Sequence, residues 1–427
     1  MKAVVVGLGR IGLPVALVLA DSGIRTIGVD TDSELIRLLG EGEAPFQEKG
    51  VEDLLAAHSG SGFLPRTWED LEKMDIGEVD FLVITIGIHN LPFPEPAIIT
   101  PLFEIIGKFH SLNLIDGSLI VMRPTLPIGT TNKIIERIST KYGKEVGVDY
   151  HMAYVPERLM EGRAIEEERS LPKCIGPATD SCFEKAKDLF SIIGGEILRL
   201  PDPSHAEFGK LIDNSWRHTR FAFSNDLAMV AESENLNLKS VLDSVNTGYE
   251  RNNIASPGPV SGYCLGKDPL ILEYSMMKVP ERERSLWMSS LDSSNSLINW
   301  VENKIEGEKI LIAGATFKED IDDVRMSFSE KLVSRLLEMG KDVDIADPFI
   351  GMNRYTDLWP SVSERFSGRV FSDIRECLSK NKFDSVVIAV RHSDFIDLEG
   401  LLSKQNLVID LWNLFEGKIG NRIGLGT

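Results

Sequence analysis

The sequence predicts an α/β protein built from two doubly wound parallel-sheet domains, joined by a central helical region with a long helix. Three observations carry that expectation. An apolar, β-prone run opens the chain and leads into a glycine-rich turn, a similar strand pattern restarts near residue 308, and apolar residues recur at helical spacing between them. The expected boundaries are 1–200, 201–300 and 301–427. A chain of 427 residues also exceeds what one hydrophobic core usually serves.

The first strand is Lys2-Ala-Val-Val-Val-Gly7, an unbroken apolar run of the kind buried in parallel sheets. Gly7, Gly9 and Gly12 follow in G-x-G-x-x-G spacing, Ile11 to Ala20 reads as a helix, and Arg25 to Val29 reads as a second strand ending at Asp30. The three glycines serve different physical ends. Gly7 permits a tight turn, Gly9 lets a pyrophosphate approach the backbone, and Gly12 lets helix and strand pack closely. Asp30 stands 18 residues after Gly12, where a carboxylate can accept both ribose hydroxyls and repel a 2′-phosphate. The run is therefore a Rossmann-like fingerprint that favours NAD over NADP. Phe81 to Ile86 reads as a further strand, with Thr85 at its end near the cofactor crevice.

In the middle of the chain, Ser204 and Glu207 have the S-x-x-E form of a capping box. Phe208, Leu211, Ile212, Trp216, Phe223, Leu227 and Val230 then recur at roughly helical spacing, predicting a helix from about 204 to 236. Lys210, Asn214, Arg217 and Phe221 fall on one stripe of it, which spacing alone also allows to be a solvated face. The second α/β unit begins with Lys309-Ile-Leu-Ile-Ala-Gly314. It continues with a helix around Ser329 to Met339 and strands at Val343 to Ala346, Val386 to Val390 and Leu407 to Asp410. It lacks a full glycine fingerprint.

Composition narrows the classes of function. A formal net charge of −19 argues against broad nucleic-acid or membrane binding. No apolar stretch is long enough to span a membrane, and Gly7, Gly9, Arg10, Gly12 and Pro14 interrupt the only run resembling a signal peptide. The four cysteines, Cys174, Cys182, Cys264 and Cys377, lack zinc spacing, so no metal is expected, and a cytoplasmic location is. The densest constellation is Ser256-Pro-Gly258-Pro-Val-Ser-Gly-Tyr-Cys264-Leu-Gly-Lys267-Asp268-Pro269. It reads as a glycine- and proline-rich loop with a thiol close to a cation and a carboxylate, the setting a nucleophilic cysteine requires. A buried structural cysteine is the competing reading.

With that segment the chain resembles the UDP-glucose/GDP-mannose dehydrogenase family, nearly end to end. The resemblance is carried by Pro124-Thr-Leu-Pro-Ile-Gly-Thr130, Val155-Pro-Glu-Arg-Leu-Met-Glu-Gly162, Ala206-Glu-Phe-Gly-Lys-Leu-Ile-Asp-Asn214, the Cys264 segment, and Gly314-Ala-Thr-Phe-Lys318 with Asp322-Asp-Val-Arg-Met-Ser327. It implies NAD-dependent, four-electron oxidation of the C6 alcohol of a nucleotide sugar to a uronic acid, through a Cys264 thioester. It assigns Lys210 and Asn214 to oxyanion stabilisation, Asp268 to proton movement, and Thr125 and Glu161 to ordering water. The cofactor set is Gly7, Gly9, Arg10, Ile11, Gly12, Asp30, Thr85, Thr125, Lys267 and Arg325. The substrate set is Glu157, Arg158, Leu159, Lys210, Asn214, Arg217, Gly258 and Lys318. For Lys318 and Arg325 a surface ion pair is the competing reading. A homodimer through the central helix is expected.

The sequence departs from the family pattern at Ser261, at Pro259, at Ile86 and in the proline-rich stretch from His89 to Pro96. Pro156-Glu-Arg158, Asn214-Ser-Trp-Arg217 and Arg391-His392-Ser-Asp-Phe395 resemble the branch acting on UDP-N-acetylhexosamines such as UDP-N-acetylmannosamine, whereas Lys267 is more typical of UDP-glucose enzymes. Two other classes compete. A two-electron hydroxyacid-type dehydrogenase would need no cysteine, and a non-catalytic nucleotide-sugar binding protein would have no need of Lys210, Asn214, Cys264 and Asp268 together.

Overall fold

The computed structural model describes residues 1–87, 95–281, 284–351, 359–363 and 365–427, with the backbone alone at 95–98, 360 and 361. Residues 89–94 of the proline-rich stretch therefore lie outside the described residues. The chain divides into two compact units, Met1–Ile212 and Asp213–Thr427.

Among the described residues of the first unit, eight strands form one sheet. They are β1 (Lys2–Val6), β2 (Arg25–Asp30), β3 (Phe63–Thr67), β4 (Phe81–Ile84), β5 (Leu119–Met122), β6 (His151–Tyr154), β7 (Lys173–Pro177) and β8 (Ile197–Arg199). Their order is β3-β2-β1-β4-β5-β6-β7-β8, parallel throughout except between β6 and β7. Strands β4, β5 and β6 are buried at every position, and β4 and β5 are accordingly continuous apolar runs rather than alternating ones. The helix Gly12–Asp21 is buried from Gly12 to Ala20 and is accordingly apolar all round. The register pairs Val6 with Ile84, so β1 and β4 end level, and strand order reverses between them. That reversal opens the crevice in which open α/β sheets bind ligands.

Among the described residues of the second unit, six parallel strands follow the order β11-β10-β9-β12-β13-β14. They are β9 (Lys309–Ala313), β10 (Asp342–Ala346), β11 (Val370–Phe371), β12 (Ser385–Ile388), β13 (Leu407–Asp410) and β14 (Arg422–Gly424). Helices Leu238–Asn246, Tyr263–Met276, Leu286–Lys304 and Phe328–Glu338 belong to the same unit.

The long helix runs from Pro203 to Ser233, close to its expected span, but the predicted capping box does not form. Asp202 caps the helix instead, accepting from the His205 N–H at 3.1 Å, with Pro203 in the first-turn position that proline favours. Ser204 accepts from Asn132 at 3.0 Å, and Glu207 reaches a different helix altogether. The apolar positions also divide by face. Leu211, Ala222 and Ala228 are buried, whereas Phe208, Ile212, Trp216, Phe223 and Val230 are 43–57% exposed.

A polar lock ties this helix to Leu286–Lys304 within the second unit. Buried His218 lies 2.9 Å from the Ser290 hydroxyl through Nδ1 and 3.2 Å from the Ser294 hydroxyl through Nε2. Ser290 donates to the Trp287 carbonyl at 2.7 Å, so it accepts from Nδ1–H. Burial, reinforced by the charge of Lys331, pushes the His218 pKa down to about 4. A folded pKa below the unfolded value means full stability above about pH 6.5 and loss as pH falls towards 4. Unfolding free energies measured against pH should decline over that window, by at most ~3 kcal/mol from this group, and His218→Gln should flatten the decline. An equal slope in the variant would contradict the assignment.

Candidate active site

The turn after β1 is shaped by exclusion. Gly7 adopts φ +93°, and its N–H donates to the Val29 carbonyl at 2.8 Å. A Cβ on Gly12 would lie 1.7 Å from the Gly7 oxygen, so only glycine fits there. A Cβ on Gly9 would meet nothing within 4 Å, leaving that backbone open to a ligand. Asp30 is oriented by accepting the Leu8 N–H at 2.7 Å on one oxygen and the Asp32 N–H at 3.1 Å on the other. Thr85 supports the turn from beneath, its hydroxyl lying 2.9 and 2.7 Å from the Val6 and Gly7 carbonyls, and Ile86 packs beside Gly7. Ile11 is the N-cap residue of the helix, whose first turn holds no acidic residue. An open glycine backbone, a helix N-terminus without acidic residues in its first turn and an oriented carboxylate fit the pyrophosphate and ribose of a dinucleotide.

Arg10, in this turn, joins the cofactor crevice to a second loop. It is buried, its guanidinium lies 5.0 Å above the Phe46 ring, and it is 3.5 Å from Glu161. Glu48 holds the next residues of that loop by accepting the Gly162 and Ala164 N–H groups at 2.7 and 2.8 Å. Earlier in the same loop, Glu157 accepts the Leu159 N–H, and Lys210 donates to the Glu157 carbonyl with its ammonium 3.5 Å from the Glu157 carboxylate. Arg158 donates to the Cys174 sulfur at 3.2 Å. Thr125 is half-buried two residues beyond Arg123, which forms a bidentate pair with fully buried Glu168 at 2.6 and 2.9 Å. Burial alone would raise the Glu168 carboxyl, but Arg123 and then Lys173 hold it below the usual carboxylate range.

In the second unit the cysteine segment differs from the loop that the sequence predicts. Cys264 sits exposed in the first turn of helix Tyr263–Met276. Gly262 starts that helix at φ +91°, where a Cβ would stand 2.8 Å from the Phe317 ring. One turn further on, Asp268 is fully buried, accepts from the Asn214 amide at 2.5 Å and lies 3.1 Å from the Lys267 ammonium. The structure thus brings Asn214 of the long helix together with Lys267 and Asp268 of the cysteine helix in one buried cluster. Ser261, the family departure, accepts the Phe328 N–H at 2.7 Å, and so has a structural role of its own. Gly258 is clamped by the Asn225 amide, which takes its N–H at 2.8 Å and donates to its carbonyl at 3.0 Å, while a Cβ there would stand 2.6 Å from the Trp412 ring.

Arg217 is exposed although Lys210 and Asn214, on the same predicted stripe, are buried. Arg325 forms the ion pair that was the competing reading, at 2.9 and 2.6 Å from the Asp323 carboxylate. Lys318 is half-buried in the turn after β9, which Asp347 ties down by accepting the Ala315 and Thr316 N–H groups at 2.6 and 3.1 Å. His392 lies 3.0 Å from the same carboxylate through Nε2 and accepts the Asp320 N–H through Nδ1. Burial would raise the Asp347 carboxyl, yet these hydrogen bonds hold it below its ordinary value. Among the described residues, no group of three or more His, Cys, Asp or Glu side chains is arranged for a metal.

Sequence reasoning missed Glu48, Asn225 and Asp347, and read Glu207 only as part of a capping box. Only Asp347 had a readable signal, since it follows β10 as Asp30 ends β2.

Three family models match the chain in order: the UDP-glucose/GDP-mannose dehydrogenase family NAD binding domain at residues 1–193, its central domain at 204–295 and its UDP binding domain at 311–417. A UDP-N-acetyl-D-mannosamine dehydrogenase of Methanococcus aeolicus is 29% identical, covering 100% of this chain and 94% of its own. Among solved structures, the UDP-D-ManNAc dehydrogenase of Pyrococcus horikoshii superposes with a TM-score of 0.84 at 24% identity, covering 100% and 99% of the two chains. A UDP-glucose dehydrogenase of Pyrobaculum islandicum gives 0.83 at 21% identity, covering 100% and 97%. At such identities the superpositions establish the fold.

Replacing Asp30 with alanine should raise the Michaelis constant for NAD by about tenfold or more, the worth of a charge-assisted hydrogen bond, and narrow the preference over NADP. Initial rates with both cofactors test this. Equal kcat/KM for NAD and NADP in the unaltered protein would contradict the role.

Proposed function

The chain belongs to the UDP-glucose/GDP-mannose dehydrogenase family and is an NAD-dependent nucleotide-sugar dehydrogenase, and we propose that it oxidises the C6 alcohol of a UDP-N-acetylhexosamine, such as UDP-N-acetylmannosamine, to the uronic acid. The observation that supports the chemistry best is the cysteine helix, with Cys264 exposed in its first turn and Asn214, Lys267 and Asp268 buried a turn below.

NAD, when bound, would supply the hydride acceptor for the two oxidations, and Asp268 takes the hydroxyl proton that each of them releases. The chain's own residues do the rest. A helix N-terminus favours a thiolate at Cys264, which adds to the C6 aldehyde to give a thiohemiacetal. Oxidation of that adduct leaves a thioester. Lys210 and Asn214 donate hydrogen bonds to the oxygen on which negative charge develops, where preorganised donors are worth most. Asp268 takes a proton from the hydrolytic water, which Thr125 and Glu161 orient, and the uronate leaves as Cys264 recovers its thiol. Glu157, Arg158, Leu159, Arg217, Gly258 and Lys318 are proposed to contact the UDP-sugar. Arg10, Thr85, Lys267 and Arg325 join Gly7, Gly9, Ile11, Gly12 and Asp30 around the cofactor. A reducing, cytoplasmic setting keeps such a thiol available.

The choice of sugar rests on Arg158, Arg217 and the kinship with UDP-N-acetyl-D-mannosamine dehydrogenases. Lys267 favours UDP-glucose as the second reading. We also assign a homodimer to the central segment, 201–300. The outward row of Phe208, Ile212, Trp216, Phe223 and Val230 is continuous enough to need cover, and a cavity of about 570 Å³ lined by Trp216, Phe223, Ile254 and Leu286 can receive a second copy's side chains.

A panel of UDP-sugars followed by NADH absorbance tests the substrate. UDP-N-acetylmannosamine should give the highest kcat/KM, with about two NADH per uronate, and Arg217→Leu should impair it more than UDP-glucose. Faster turnover of UDP-glucose would overturn the sugar assignment, and one NADH per product would overturn the four-electron course.

A further inference from the structure

Glu207 is a fully buried carboxylate that neither caps its own helix nor, among the described residues, meets a cation. Its two oxygens accept three hydrogen bonds from the start of helix Thr130–Tyr142. The Gly129 N–H donates to Oε2 at 2.6 Å, and the Thr131 N–H and hydroxyl donate to Oε1 at 2.8 and 2.7 Å. Gly129 stands at φ +89°, so its N–H is presented by a turn that glycine alone adopts readily. Ser204 adds a second link by accepting from Asn132 at 3.0 Å.

Two residues of the proposed chemistry lie on either side of this junction. Thr125 is four residues before Gly129, and the intervening turn is closed by the Thr130 hydroxyl donating to the Pro127 carbonyl at 2.7 Å. Lys210 is three residues after Glu207, one helical turn on, with its ammonium on the Glu157 carbonyl and 3.5 Å from the Glu157 carboxylate. We propose that Glu207 is a positioning residue for the oxidation, fixing the Thr125 segment and the Lys210 turn in one register through the Gly129–Thr131 turn. The inference rests on the roles given above to Lys210 and Thr125.

The choice of a carboxylate is informative. Burial pushes its pKa up to about 7 even though Thr131 and Gly129 donate to it. A neutral amide avoids that penalty but cannot replace the carboxylate. Both oxygens of Glu207 receive backbone N–H groups, and glutamine would turn its own NH₂ against one of them. Aspartate is a methylene shorter. Glutamate therefore satisfies the turn from the long helix without a competing donor.

The test is Glu207→Gln in the full chain, assayed with NAD and the best UDP-sugar of the panel. The expected result is a kcat lowered about tenfold to a hundredfold, the range of a ~1 Å misplacement of reacting groups. The Michaelis constant for the sugar and the dissociation constant for NAD should stay within about threefold. The deuterium isotope effect at C6 should shift, rising where the lost Lys210 contact makes hydride transfer limiting and falling where the displaced Thr125 segment makes hydrolysis limiting. A folded variant with kcat within about twofold and an unchanged isotope effect overturns the proposal, whatever its Tm. Thr131→Val, which removes the hydroxyl donor alone, is the milder probe should Glu207→Gln not fold. It should lower kcat by a few-fold with the isotope effect shifted in the same direction, and an unchanged kcat overturns the proposal. Lys210→Met separates the two levels. Full activity there overturns the Lys210 assignment, whereas its inactivity beside a normal Glu207→Gln overturns the positioning role alone.

Discussion

Buried and half-buried carboxylates that accept backbone N–H groups are the constraint on which the rest of this structure depends. A loop leaving the end of a parallel strand has donors that no neighbouring strand satisfies, and a buried donor without a partner is costly. Asp30 takes the Leu8 N–H, Glu48 takes those of Gly162 and Ala164, Glu207 takes those of Gly129 and Thr131, and Asp347 takes those of Ala315 and Thr316. Each of these loops carries residues of the proposed chemistry. Ligand-facing backbone stays open because the rest of the turn is already tied down.

The same device appears in both units and is finished differently. Gly7 and Gly314 adopt φ +93° and +97°, and the N–H of each donates at 2.8 Å to the last or next-to-last carbonyl of the neighbouring strand. In each case the following residue donates to an aspartate, Asp30 or Asp347. Beyond that point they diverge. His392 lies against the Asp347 carboxylate at 3.0 Å, on the oxygen that also takes the Ala315 N–H, whereas Asp30 is engaged by backbone N–H groups. A carboxylate with lone pairs left over suits ribose hydroxyls, and one met by an imidazole does not. This agrees with an NAD binding domain in the first unit and a UDP binding domain in the second.

Much of this was legible from the sequence. The strands β1, β2, β9 and β13 and the helix Gly12–Asp21 lie within a residue or two of their expected limits, because continuous apolar runs and glycine punctuation are local signals. What failed was whatever depends on a partner distant in sequence. Ser204 and Glu207 have capping-box spacing, but Glu207 bonds to residues 76 and 78 positions away and Asp202 takes the cap. The glycines and prolines around Cys264 suggested a loop, while the buried Asn214–Asp268 contact holds a helix there despite Pro269. Helical spacing grouped Leu211 with Phe208 and Ile212, although only Leu211 is buried. Periodicity reports a helix without saying which apolar face the fold covers.

The central claim is that Cys264 carries the substrate as a thioester whose hydrolysis needs Asp268. Intact-protein mass measurement during turnover of Asp268→Asn, compared with Cys264→Ser, tests it most directly. The account predicts that Asp268→Asn accumulates a covalent adduct with the mass of the uronyl nucleotide, absent when Cys264→Ser is treated alike. It also predicts that the serine variant still binds NAD and UDP-sugar while uronate formation falls by several orders of magnitude. Near-normal uronate production by Cys264→Ser would contradict the account.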